Sequence, residues 1–398
     1  MRQLVSVVWL CALAWASEPD GAVAAPARWT GPNGPASHSR RSRAMPVTRD
    51  VVEAWAVTLP GKPVAPPVTW DGLAYVLCKA ARGGVLVGVD IARGELVAQK
   101  ALPKAPAAPI HVWGGVVYVV TSPGRLTGLR RTGKTFVERW KYNPKGFAPS
   151  GMVVIENEIY VVSNDDLLRL APGSGKYVVW RQSNRYRGPP AVIGDCVLVL
   201  GHKRRNQESI PTLYALRRSD GTLVDDALVA WYAGASPGPT EQGGITVGTS
   251  YILVETPRDL ALQGGRARHG FVPFEQKGRA VSLKSADGFM DFRVHPAVYK
   301  GGLITCAEAT QWQWWVGERG RILAQREYSP DLFAQLVPPT VMGDVAYFGS
   351  WAADVETGEI LWRLPVRAVA YGAVPADRLV LVIDLKHALR AYRSRVGR

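Results

Sequence analysis

The residues best suited to chemistry are six histidines (His38, His111, His202, His269, His295, His387) and four cysteines (Cys11, Cys78, Cys196, Cys306). Their spacing argues against a catalytic or metal-binding role. There is no HExxH, no CxxC, no vicinal cysteine pair and no GxSxG elbow. His111, between Ile110 and Val112, reads as a structural histidine on an apolar strand. Cys78, Cys196 and Cys306 lie among strand residues and read as small buried hydrophobes. The acidic pairs Asp165-Asp166 and Asp225-Asp226 come nearest to a cation site. They sit in loop-like contexts, without the several further oxygens that calcium gathers at about 2.3–2.6 Å. Gly-Gly pairs at 83–84, 114–115 and 264–265 lack the strand-to-helix setting of a phosphate loop and read as turns. No catalytic, metal or cofactor residue is assigned. The remaining candidates are basic and aromatic: Lys203, Arg204 and Arg205; Arg258, Arg266 and Arg268; and Trp312 with Trp314.

The chain that carries them has 398 residues, 47% hydrophobic and 20% charged, with 41 Gly, 29 Pro and 14 Trp. It is too apolar for a disordered protein and too rich in turn formers for a helical bundle. Lys and Arg number 48 against 33 Asp and Glu, so the surface is basic and favours anionic partners. Met1-Arg2 followed by the apolar run Leu4–Ala16 has the form of an export signal, residues 1–24, with cleavage after Ala16 or Ala24. Cys11 lacks the small residues that precede a lipidated cysteine, so a lipid anchor is not expected. No other apolar run reaches the ~20 residues of a membrane span. Residues 25–50, with Arg40-Arg41-Ser42-Arg43, read as an irregular basic arm.

From residue 51 to 398 one pattern recurs: a tight turn, then a strand of β-branched and aromatic residues. DGLAYVL (71–77), GGVVYVV (114–120), ENEIYVV (156–162), GDCVLVL (194–200), GDVAYFG (343–349) and DRLVLVI (377–383) show it most clearly. The anchor positions Tyr75, Tyr118, Tyr160, Leu198, Tyr251, Ile304, Tyr347 and Leu381 recur at roughly 44 residues, a propeller-like period. Asp-Gly, Gly-Gly and Glu-Asn pairs favour tight hairpins. A second strand–glycine turn–strand unit follows each anchor, and its last strand often carries a tryptophan (Trp140, Trp180, Trp231, Trp362). Each unit is four antiparallel strands with two apolar faces, which only radial stacking buries. The expected fold is all-β, an eight-bladed β-propeller of four-stranded antiparallel blades, with seven blades as the alternative. The last unit lacks its final strand, and VEAWAVTL (52–59) looks like that missing strand, so the N-terminal strand is expected to complete the last blade.

GRLTGLRRTGKTFVERW and ETGEILWRL resemble the PQQ-like, quinoprotein-type propeller repeat over about residues 51–393. The resemblance implies the fold and leaves two functions. One is a non-enzymatic scaffold of the outer-membrane protein assembly type. The other is a calcium-assisted, PQQ-dependent oxidoreductase, whose quinone would lie in the axial channel. The missing vicinal cysteines and ligand spacings favour the scaffold, with no cofactor. Units four and five are lengthened to 53 residues by insertions at 201–211 and 256–278, read as loops. These loops and the 307–317 segment place Lys203, Arg204, Arg205, Arg258, Arg266, Arg268, Trp312 and Trp314 on one face as a partner-binding site. The expected protein is a periplasmic or secreted monomer that binds acidic or extended protein segments. No nucleic-acid module is present, and export argues against such a partner.

Overall fold

The computed structural model describes residues 31, 41–42, 46–48, 51–173, 177–205, 208–228, 245–247, 251–256, 267–277, 280–283, 289–292, 297–299, 302–308, 311–316, 321–327, 337–365 and 369–395. Among these the regular elements are β-strands, with no α-helix. The strands form eight sheets among the described residues, numbered I to VIII in chain order. Sheet I covers 62–102, II 111–142, III 149–183, IV 187–228, V 245–292, VI 297–327, VII 340–363 and VIII 374–394. Consecutive strands pair antiparallel as up-and-down meanders. The architecture is that of a β-propeller.

The repeat positions the strands as their residue types require. Seven anchors, Tyr75, Tyr118, Tyr160, Leu198, Ile304, Tyr347 and Leu381, are at most 2% exposed, while the side chain of Tyr251 lies outside the described residues. Between Ile155 and Glu158 the Glu156-Asn157 turn has φ of 51° and 60°. Positive φ at both central residues is the geometry that matches the twist of a two-residue hairpin. Both faces of the inner strands are covered. Apolar clusters fill the spaces between sheets I and II, II and III, III and IV, IV and V, VI and VII, VII and VIII, and VIII and I.

The last of these spaces brings the ends of the repeat together. Val51–Thr58 pairs antiparallel with Ala388–Ser394 as the outer strand of sheet VIII, with Trp55 opposite Ala391. A polar clasp fixes the pairing. Arg390 donates from Nη1 to Glu53 Oε2 at 2.7 Å and from Nε to Asp384 Oδ2 at 2.8 Å, and Tyr392 Oη donates to Glu53. Tryptophans of the outer strands then dock on the neighbouring sheet. Trp55 Nε1 donates to the Ile91 carbonyl at 2.8 Å, and Trp180 Nε1 to the Arg218 carbonyl at 2.9 Å.

The basic arm is more ordered than its composition suggests. Arg41–Ser42 pairs parallel with Val341 and Met342 of Thr340–Met342, the first strand of sheet VII. Val47 is 1% exposed; its N–H donates to Tyr347 Oη at 2.7 Å, and its carbonyl accepts Trp362 Nε1 at 2.8 Å. Within this arm Arg41–Ser42 forms a two-residue strand, while residues 46–48 have no regular secondary structure. Backbone groups of an arm with no periodicity found partners at a strand edge and on two buried side chains, the Tyr347 hydroxyl as acceptor and the Trp362 indole as donor, which no local pattern encodes.

Candidate functional site

The first insertion is not a loop. Its residues prolong the two middle strands of sheet IV, Cys196–Arg205 and Glu208–Arg217, which pair out to Arg205 opposite Glu208. Pairing the two prolonged strands satisfies backbone N–H and C=O groups within the ladder. Lys203 stands exposed on this hairpin and donates from Nζ to Asp226 Oδ2 at 2.9 Å. That hydrogen bond and the Asp226 charge push its ammonium pKa up. Arg204 and Arg205 follow on the same strand, opposite Ser209 and Glu208.

The acidic pairs also lie elsewhere than expected. Asp225 and Asp226 belong to the strand Leu223–Leu228, and Asp166 begins the strand Asp166–Leu170. Only Asp165 keeps a turn position, with φ of 70°. Each carboxylate is engaged. Asp165 pairs with Arg187 and Asp166 with Arg181. Asp225 Oδ2 accepts the Leu283 N–H at 2.6 Å, and Asp226 takes Lys203. A cavity of about 690 Å³ opens among Asp165, Asp166, Arg185, His202, Lys203 and Asp226. Within it His202 is half-buried, and its buried Nδ1 lacks a hydrogen-bond partner. Burial first, then the charges of Arg187 and Arg185, lower its pKa. The hairpin root is thus a charge-paired cleft with a neutral imidazole, and the expected basic ridge is partly neutralised at Lys203.

The second insertion divides. Arg258 and Arg266 lie outside the described residues. Arg268 lies on the strand Ala267–Lys277, opposite Thr256 on one side and Asp291 on the other. The far end of that strand forms a hairpin with Ala280–Leu283. Phe274, Val281 and Leu283 there are buried against Ala191, Leu198 and Leu213 of sheet IV. Part of the presumed binding loop is therefore inter-sheet core, because its apolar residues have a neighbouring sheet to cover. Trp312 and Trp314 lie on the strand Gln311–Val316, with Trp312 opposite Cys306 and Trp314 opposite Ile304. All the described candidates sit on paired strands instead of loops.

Sequence reasoning missed a second polar centre, between sheets III and IV. Glu158 accepts hydrogen bonds from Tyr160 Oη, from Arg169 Nη2 and, at 3.1 Å, from Arg218 Nη2. Arg218 Nη2 also reaches Glu156 at 2.7 Å. Burial alone would raise the Glu158 carboxyl, but the hydrogen bonds from Tyr160 and Arg218 and the charges of Arg169 and Arg218 carry it below the usual carboxylate range. The only available signal was the repeated charge beside the ENE turn.

Other titratable groups behave as buried structure. The Cys78 thiol is pushed up to about 12 by burial, so it stays protonated, and Cys78 and Cys196 are free and buried. Burial lowers His111 to about 4. Among the described residues, no group of three or more His, Cys, Asp or Glu side chains converges as a metal site. The described acidic and cysteine residues thus do not converge as a calcium cradle for a quinone. No helix among them is long and apolar enough to cross a membrane.

Eight sheets among the described residues, five of them four-stranded and three five-stranded, with tryptophans docked on the adjacent sheet, define the class, a β-propeller built from a PQQ-like repeat. Residues 50–224 match the family profile described as outer membrane protein assembly factor BamB, which supports a propeller of PQQ-like repeats. Solved structures share the fold at low identity. BamB from Moraxella catarrhalis is 13% identical, with 87% of this chain and 99% of that chain covered and a TM-score of 0.56. The computationally designed Ika8 protein is 10% identical, with 87% and 100% covered and a TM-score of 0.58. A europium-containing methanol dehydrogenase is 12% identical, with 89% of each chain covered and a TM-score of 0.50. Comparison with curated proteins gives no match.

Proposed function

We propose that this protein is a non-catalytic, exported scaffold of the bacterial cell envelope that binds protein partners. Its eight sheets are read as eight blades of one ring, closed by Val51–Thr58, and the mature chain as a monomer. The observation that supports this best is the prolonged hairpin of sheet IV. It carries Lys203, Arg204 and Arg205 inside the segment that matches the assembly-factor profile. A rigid paired hairpin presents its side chains with little ordering cost on binding. Lys203 is already paired with Asp226, so Arg204 and Arg205 are taken as the principal contacts, with Arg268 and the Gln311–Val316 strand as further candidates.

The test is capture from an envelope extract by wild-type protein and by the K203E/R204E/R205E variant. The reading expects a discrete protein to be retained by the wild type and lost with the variant. Equal retention by both would remove the hairpin from the function. A second reading, a quinoprotein oxidoreductase, is kept because the methanol dehydrogenase shares the fold. It requires calcium-dependent dye reduction after addition of PQQ, and a flat titration eliminates it.

A further inference from the structure

A larger cavity, about 990 Å³, lies at the junction of sheets VIII, I and II, away from the sheet IV hairpin. Its floor comes from the first hairpin of sheet I: Trp70, Leu73 and Tyr75, with Ile91 beside them. Trp70, Tyr75 and Ile91 are buried, so the floor is rigid core that happens to face an opening. Two arginines stand on each flank. Arg378 and Arg393 come from sheet VIII, and Arg130 and Arg131 from sheet II. All four are exposed.

Several arginines near other sheet junctions are ion-paired: Arg169 and Arg218 with Glu158, and Arg390 with Glu53 and Asp384. Arg130, Arg131, Arg378 and Arg393 make no ion pair among the described residues, although Asp71, Asp90 and Asp377 share the cavity with them. Asp90 Oδ1 is engaged locally, accepting the Arg93 N–H at 3.0 Å. Unpaired guanidinium groups seek carboxylates bidentately, and an apolar floor between them rewards a hydrophobic side chain. A small anion would satisfy one flank and leave both the floor and the opposite flank unused.

We propose that this cleft binds an extended peptide segment in which acidic residues flank a central apolar or aromatic residue. The apolar side chain would sit over Trp70 and Leu73, and the acidic groups on either side would meet Arg378 and Arg393 on one flank and Arg130 and Arg131 on the other. The site is independent of the sheet IV hairpin, so each can fail without the other.

The probe is a fluorescein-labelled, end-capped peptide with glutamates on both sides of a Leu-Phe-Leu centre, titrated into the full chain by fluorescence polarisation. Saturable binding is expected, weakening with added salt. The R131E/R378E variant, which reverses one charge on each flank, should weaken it by at least about tenfold, a loss of about 1.4 kcal/mol. K203E/R204E/R205E should leave it unchanged. The glutamine version of the peptide should not bind. The milder single variants R131Q and R378Q, checked for a wild-type urea midpoint, keep the test valid if the double variant misfolds. The proposal is overturned by absence of saturable binding, by equal affinity in folded R131Q, R378Q and wild type, or by full displacement with inorganic phosphate, which would reduce the cleft to a simple anion site.

Discussion

Replacing Gly94 by alanine asks how much the docking of Trp55 on sheet I holds the ends of the repeat together. Gly94 sits in the turn before the last strand of sheet I with φ of 70°, and a Cβ there would overlap the Trp55 ring and lie 2.6 Å from the Trp55 Cβ. Gly133 occupies the same turn of sheet II with φ of 60°, but a Cβ there meets nothing within 4 Å. Both alanines pay the left-handed backbone penalty, about 1 kcal/mol. Only Gly94→Ala must also displace the indole. That breaks the Trp55 Nε1–Ile91 bond, worth about 1 kcal/mol, and uncovers part of the ring, roughly 1–2 kcal/mol more. The expected losses are therefore about 3–4 kcal/mol for Gly94→Ala and about 1 kcal/mol for Gly133→Ala, read from urea unfolding at unchanged slope. In a Trp55→Gly background, which removes the Cβ as well as the ring, the clash disappears, and Gly94→Ala should cost no more than Gly133→Ala. Equal losses in the two single variants, or an undiminished Gly94 effect without Trp55, would refute the docking argument.

Two further outcomes concern titration. Arg390→Met strands the nearly buried Asp384 carboxylate on the Lys386 and Ala388 N–H groups and should cost about 2–3 kcal/mol at neutral pH. Burial alone would raise Asp384, but the Ala388 N–H and Arg390 hold it below the usual carboxylate range. Its contribution is thus present above the unfolded value near pH 4 and lost as pH falls through the folded one. In Arg390→Met that loss should begin at higher pH, which a series of urea midpoints would show. His111, lowered to about 4 by burial, refuses a proton that the unfolded chain accepts below about 6.5. Stability should therefore decline as pH drops from about 6.5 to about 4 and then level off, and His111→Leu should flatten that slope in the same midpoints.

The repeat determined most of the architecture on its own. Turn pairs such as Asp71-Gly72 and Glu156-Asn157 mark hairpins because their residues tolerate positive φ, and the anchors from Tyr75 to Leu381 recur because one face of each strand must meet the next sheet. Even the pairing of Trp55 with the Ala388–Ser394 strand was legible, since the last unit lacked a strand and the first segment had one to spare. Site assignments were less legible. Charge runs mark basic residues without showing which carboxylate lies across the sheet, so the pairing of Lys203 with Asp226 could not be read. Nor could the conversion of the 201–211 loop into a prolonged ladder, because the same residues suit either state until a partner strand is aligned. Tertiary structure alone decided the lodging of Val47 beneath Tyr347 and Trp362, and the meeting of Arg378 with Arg131 across the floor of Trp70. Periodicity is a local property that each strand enforces through its own pleat. Which charges face each other across sheet junctions depends on how many units intervene and how they turn, and that is fixed only when the sheets are packed.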